Sequence, residues 1–187
     1  RKGGSNITGA TASNYTIGSV TTDDAASYDV IITGTCAPAA TSSTVTLTVN
    51  TLPAITTQPA NDTKCEGQSS TFTVVATGTA LTYQWRKGGT NITGATASNY
   101  TIGSVTTADA ANYNVVVSGT CAPAATSSTV SLTVNTLPNI TTQPANDTKC
   151  VGQSSTFSVV ASGTAITYQW RKGGSNITGA TASNYTI

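Results

Sequence analysis

This chain has no histidine and no methionine, and only 8% of its residues are charged. Without histidine it lacks the side chain that most often serves as general base, as proton switch near neutral pH and as metal ligand. No serine or cysteine has a histidine to activate it, so nucleophilic catalysis has no support in the composition, and no catalytic residue is expected. The formal net charge is +1, with no basic run to neutralise phosphates. No nucleic-acid partner is therefore expected. No acidic tract occurs, and no apolar run approaches the ~18 residues of a membrane span. The absence of methionine, with Arg1 in first place, points to an interior piece of a longer chain. Patterns of helical period are missing too. Threonine, serine, alanine, glycine and asparagine dominate instead, residues that suit strands and turns, so the chain reads as all-β.

The remaining order is a repeat. Position i matches position i+85 almost throughout, with 14 differences over the 102 positions that can be compared, and residues 1–17 are identical to 171–187. The differences are mild, as in Ser5/Thr90, Ile31/Val116 and Leu81/Ile166, or are polar exchanges expected at turns and outward positions, as in Asp23/Ala108, Asp29/Asn114 and Glu66/Val151. A period of 85 suits a compact sandwich domain better than a solenoid unit. The expected division is therefore 1–52 as the C-terminal part of one repeat, 53–137 as a complete repeat and 138–187 as the N-terminal part of the next. Leu52-Pro53 and Leu137-Pro138 mark the joints, because proline ends a strand and stiffens a link.

Each repeat is organised around a tryptophan strand. In Leu81-Thr-Tyr-Gln-Trp85, alternation places Leu81, Tyr83 and Trp85 inward and Thr82 and Gln84 outward, and Gly88-Gly89 then turns the chain. By this parity Gln84→Ala is expected to be nearly neutral, and Arg86-Lys87 is expected to be a solvated hairpin end. The expected core is Trp85, its counterpart Trp170, Tyr100, Tyr113, Val74 and Val115, with Val105 as a plug near Tyr113. Asp109 and its counterpart Asp24 are expected to cap backbone N–H groups at a corner. The pair Asp23-Asp24 has the chemistry of a calcium ligand set, but the middle copy reads Ala108-Asp109, so no metal site is expected. Asn-x-Thr sequons at Asn6, Asn14, Asn61, Asn91, Asn99, Asn139 and Asn146 would accept glycans in a eukaryotic secretory pathway. By parity Val75 and Val160, and Ile31 and Val116, face outward.

The succession Cys-Glu-Gly at 65–67, Tyr83-x-Trp85, then Tyr100-Thr-Ile-x-x-Val105-x-x-x-Asp109-Ala-x-x-Tyr113, then Leu132-Thr-Val134 resembles the I-set type of immunoglobulin domain. With Thr-Tyr-Gln-Trp at 82–85 and Ser-Gly-Thr-Cys at 118–121 it also resembles the immunoglobulin-like repeats of giant secreted surface adhesins of the Bacteroidota. The resemblance covers the whole chain. It implies tandem immunoglobulin-like β-sandwiches placed head to tail, in an extracellular or cell-surface protein with no cofactor. The two positions that carry the inter-sheet disulfide of antibody-type domains fall on Val74 and Val115, so aliphatic packing on the tryptophan replaces that bond. The function implied is a structural segment of an extracellular fibre, stalk or adhesin, whose partners are neighbouring repeats and identical chains. The alternatives are an array that binds a cell-surface or glycan ligand, and a spacer attached to a secreted enzyme. The loops 94–98 and 119–128 do not vary between copies, which favours a scaffold or an array of identical weak sites.

Each full repeat carries two cysteines, and an even count in a secreted chain implies disulfides. In the implied topology Cys65 lies at one pole of the sandwich and Cys121 at the other. An eight-residue strand spans about 26 Å and a disulfide needs Cα atoms within about 7 Å. The expected bonds therefore run between adjacent repeats, with the partners of Cys36, Cys65, Cys121 and Cys150 lying outside residues 1–187.

Overall fold

The computed structural model describes all 187 residues. The middle copy contains ten strands: β1 Ala54–Thr57, β2 Asp62–Cys65, β3 Ser70–Thr73, β4 Val75–Thr77, β5 Thr82–Lys87, β6 Thr90–Asn91, β7 Asn99–Ile102, β8 Ala111–Ser118, β9 Ala125–Thr126 and β10 Val130–Asn135. One layer runs in the order β6–β5–β8–β10–β2, with β9 also paired to β8. Its pairs are antiparallel apart from β10 with β2, which is parallel. The facing layer holds β1 on β4 and β3 on β7. Strands β3 and β4 are one run of chain broken at Val74, whose N–H turns to the Ser98 carbonyl.

The pleat explains the core. Along β8 the burial alternates, with Tyr113, Val115 and Val117 buried between half-buried or exposed neighbours, and β10 buries Val130 and Leu132 in the same way. Trp85 is fully buried opposite Val115, and Val74 and Phe72 meet it from the other layer. The aromatic rings form a cluster: Phe72 stacks on Tyr113 at 4.9 Å, while Trp85–Phe72 and Tyr100–Tyr113 are each 6.1 Å apart. Val105 is buried beside the turn after β2, exchanging backbone bonds with that turn through the Gly67 N–H and the Gln68 carbonyl. On the first edge Pro59 interrupts the chain between β1 and β2. There Gln58 and Asn61 use side-chain oxygens to accept the Ser128 and Ser131 N–H groups, each at 2.8 Å, and so replace ladder bonds that the backbone cannot make around proline.

Several expectations need correction. Gln84, on the face away from Trp85, is half-buried and not a free side chain; its amide donates to the Trp85 and Ile92 carbonyls at 2.9 and 2.8 Å, so it ties β5 to the loop beyond β6. Arg86 and Lys87 are not a solvated hairpin end. Arg86 Nε donates to Asn114 Oδ1 at 3.0 Å, and Lys87 Nζ donates to the Ala108 carbonyl at 2.8 Å. Trp170 is half-buried where a core position was expected, because the strands that cover Trp85, β8 and β10, have no counterparts within 138–187. Val116 is half-buried, whereas Ile31, Val75 and Val160 are exposed.

The flanking copies repeat parts of this plan. Residues 1–52 pair Ala26–Tyr28 with Val45–Leu47, as β8 pairs with β10, and residues 138–187 pair Thr156–Ser158 with Asn184–Thr186, as β3 pairs with β7. No helix is long and apolar enough to cross a membrane.

Candidate functional site: the joint between repeats

The feature with the most built-in geometry outside the core is the link Asn-Thr-Leu-Pro, at 50–53 and again at 135–138. Thr51 offers its N–H to Thr79 Oγ1 at 2.9 Å, its hydroxyl lies 3.2 Å from the same oxygen, and its carbonyl accepts the Thr79 N–H at 3.2 Å. The second joint has the same three bonds between Thr136 and Thr164, at 2.9, 3.2 and 3.2 Å. The linker is thus held to the turn that opens the tryptophan strand of the next repeat. Sequence reasoning missed this pairing, because threonine is too common here for any one of them to stand out.

Two glycines complete the joint. A Cβ on Gly78 would lie 3.0 Å from both the Leu52 carbonyl oxygen and Pro53 Cα, and its φ of +146° suits glycine. A Cβ on Gly119 would meet the Thr79 carbonyl oxygen at 2.8 Å and Pro53 Cγ at 3.1 Å. Pro53 is buried between them. Gly163 approaches Leu137 and Pro138 as Gly78 approaches Leu52 and Pro53. The recurrence of these glycines at a fixed distance from Leu-Pro was the one available sequence signal.

Cys65 and Cys121 lie at these joints. Cys65 ends β2 opposite Asn135, and the next N–H, from Glu66, donates to the Asn135 carbonyl at 2.9 Å. Cys121 follows Thr120, whose N–H donates to the Thr79 carbonyl at 3.0 Å. All four cysteines are free thiols; Cys121 is half-buried, and Cys36, Cys65 and Cys150 are exposed. Cys65 and Cys121 are not brought together, since β8 lies between their ends of the sandwich.

The corner aspartates accept bonds from backbone and hydroxyl. Asp109 Oδ2 receives the Thr106 N–H at 2.9 Å and Thr106 Oγ1 at 2.8 Å, and Lys87 Nζ stands 3.4 Å from its other oxygen. Asp24 has the same bonds from Thr21. The Thr106 bonds, with a smaller contribution from the Lys87 charge, hold the Asp109 carboxyl below the usual carboxylate range. Tyr113 donates its hydroxyl to the Asp109 carbonyl at 2.9 Å, and burial, with the Asp109 charge second, pushes its phenol up to about 12. No group of three or more metal-ligating side chains forms.

A cavity of about 650 Å³ lies in residues 1–52 and is lined by Tyr15, Ile17, Tyr28, Val30 and Leu47 among others. These are the counterparts of Tyr100, Ile102, Tyr113, Val115 and Leu132 in the middle copy. The cavity is therefore the seat that Trp85 and Phe72 fill in a complete repeat, not a ligand pocket.

Among solved structures the chain is similar to the I-band fragment I67–I69 from titin, with a TM-score of 0.59 at 20% identity, covering 75% of this chain and 55% of that one. An E-to-A variant of titin I67–I69 gives 0.60 at 19%, covering 73% and 54%. Sidekick-1 immunoglobulin domains 1–4 give 0.53 at 21%, covering 84% and 46%. The fold is a tandem array of immunoglobulin-like β-sandwiches. This chain spans about half the length of each of those structures. No protein-family model and no curated protein matches it.

Proposed function

We propose that this chain is a load-bearing segment of an extracellular fibre, stalk or adhesin, built from near-identical immunoglobulin-like domains of which 53–137 is one whole unit. The observation that carries this reading is the joint. The same three Thr–Thr bonds recur at both links, with the same glycine against each Leu-Pro, so the linker is held to the following repeat in the same way each time, which would set successive domains at one repeated angle. A repeated angle in a head-to-tail array gives a regular filament rather than a flexible string. The low surface charge fits a body whose solubility rests on hydroxyl and amide groups, well below the ~25–35% charged residues of an ordinary soluble surface. No enzymatic role is proposed. The resemblance to Bacteroidota surface repeats supports an extracellular location.

Electron microscopy of the native array tests this. A regular filament of constant axial repeat is expected, and beads on a randomly bent thread would contradict it. Stretching single molecules supplies an independent check. Each unfolding event should release up to about 280–305 Å of contour for 85 residues, less the folded length. A mixture of unrelated step lengths would argue for a spacer attached to other domains.

A further inference from the structure

We infer that each joint is closed by a disulfide between the Cys65-type thiol of one repeat and the Cys121-type thiol of the repeat that follows it. The inference rests on the head-to-tail array described above, and on the extracellular reading only for an oxidising environment.

A bond within one repeat is ruled out by the register. On β10, Leu132 stands opposite Ala111, and Asn135, opposite Cys65, lies three residues further on, beyond the start of β8. Cys121 lies three residues beyond Ser118, at the other end of β8. The two thiols of one repeat are therefore separated by more than an eight-residue strand, about 26 Å, whereas a disulfide needs Cα atoms within about 7 Å.

The same register brings thiols of successive repeats to one place. At the second joint, Cys65 is the ladder partner of Asn135, and the next residue, Thr136, is bonded to Thr164. At the first joint, Thr51, the counterpart of Thr136, is bonded to Thr79, the counterpart of Thr164, and the Thr79 carbonyl accepts the N–H of Thr120, the neighbour of Cys121. The linker sequence Asn-Thr-Leu-Pro is identical in both joints, so the two halves describe one composite joint. In it a Cys65-type thiol stands on the leading side of the linker and a Cys121-type thiol on the trailing side. They are connected by one ladder pair, one Thr–Thr pair and one backbone bond. Each joint within 1–187 holds only one of these two cysteines, Cys121 at the first and Cys65 at the second, and Cys36 and Cys150 lie at the far ends of their repeats, so all four are free thiols.

Closure needs an oxidant of the disulfide class, such as oxidised glutathione. The Cys65 thiolate attacks the oxidant's disulfide and expels one thiolate. The Cys121-type thiolate then attacks Sγ of Cys65 and expels the second. Two thiols thus lose two protons and two electrons, and one disulfide is reduced to two thiols. The bond would tie adjacent sandwiches outside the peptide link, so tension on the array would pass through two covalent routes at every joint.

The test extends the chain after Ile187 with a copy of residues 103–137, which completes the third repeat in register, and carries Cys121→Ser in the middle repeat. After incubation in a mixture of reduced and oxidised glutathione, the remaining thiols are blocked and peptides are mapped without reduction. Cys65 should be joined to the appended cysteine, with Cys36 and Cys150 recovered as thiols. A second variant that also carries Cys65→Ser should return the appended cysteine as a thiol. Slow exchange of the Trp85 and Trp170 indole N–H groups reports that both repeats are folded. In protein folded by that measure, Cys65 recovered as a thiol or as its glutathione adduct, or joined to Cys36 or Cys150, overturns the inference. Because the test runs in a defined redox buffer, it can fail while micrographs still show a regular fibre, and the reverse also holds.

Discussion

Trp85 and Trp170 have the same local sequence and the same local bonds, but only one is sealed from water. The Trp85 indole N–H donates to the Ala97 carbonyl and that of Trp170 to the Ala182 carbonyl, both at 3.0 Å. Phe72 stands 6.1 Å from Trp85, and Phe157 stands 6.3 Å from Trp170. Gln84 and Gln169 bridge to the Ile92 and Ile177 carbonyls at 2.8 and 2.9 Å. What differs is the cover that β8 and β10 lay over Trp85. The first copy shows the converse. Tyr28 keeps its corner bond to the Asp24 carbonyl at 2.8 Å, but Val30 is 47% exposed where Val115 is fully buried, because no tryptophan strand lies against it. Turns, caps and side-chain clamps are thus local properties of the sequence. The core exists only where both layers of one repeat are present.

The largest effect should separate the two tryptophans. Trp85→Ala should cost the middle repeat about 3–5 kcal/mol, while Trp170→Ala should leave the main denaturation midpoint unchanged. Urea titration followed by near-ultraviolet circular dichroism reads both. Glycine gives the next contrast. Gly119→Val would drive a side chain into the Thr79 carbonyl and Pro53 and should cost about 1–3 kcal/mol, whereas nothing lies within 4 Å of a Cβ on Gly34, its counterpart, so Gly34→Val should be silent in the same titration.

A smaller loss, about 0.5–1.5 kcal/mol, is expected for Gln84→Ala, because the Trp85 and Ile92 carbonyls lose their amide donor. Gln169→Ala removes the matching bonds from an open repeat and should not shift the main transition. The smallest effect is on pH. Asp109 and Asp62 are held below the ordinary carboxylate range, Asp109 chiefly by Thr106 and Asp62 chiefly by Ser70. A carboxylate whose folded value is depressed stabilises the fold above its unfolded value, about 3.9, and loses that contribution as pH falls through the folded value. The urea midpoint should therefore drop below about pH 4 in wild type and drop less in Asp109→Asn.

The tryptophan strand and the inward positions of β8 and β10 were legible because alternation is a one-dimensional signal, and a two-sided sheet converts it directly into burial. Phe72, Val74 and Tyr113 follow the same rule. The joint was not legible. Thr51 and Thr79 are 28 residues apart and belong to different repeats, in a chain where threonine is everywhere, so nothing local marks their three bonds. Gln84 shows another limit of parity. Alternation assigns it to the outer face but does not register that the Ile92 carbonyl lies within reach of its amide. Arg86 and Lys87 follow the same pattern, since their partners Asn114 and Ala108 come from across the layer and from the corner before β8.

Hydrogen exchange at the two indole N–H groups of this chain is the most direct measurement of whether a repeat's core depends on its own β8 and β10. The Trp85 indole should exchange only through unfolding of the middle repeat, and the Trp170 indole, with the same acceptor at the same distance, should exchange orders of magnitude faster. Equal protection of the two would mean that the local clamp alone makes the core, and would contradict this account.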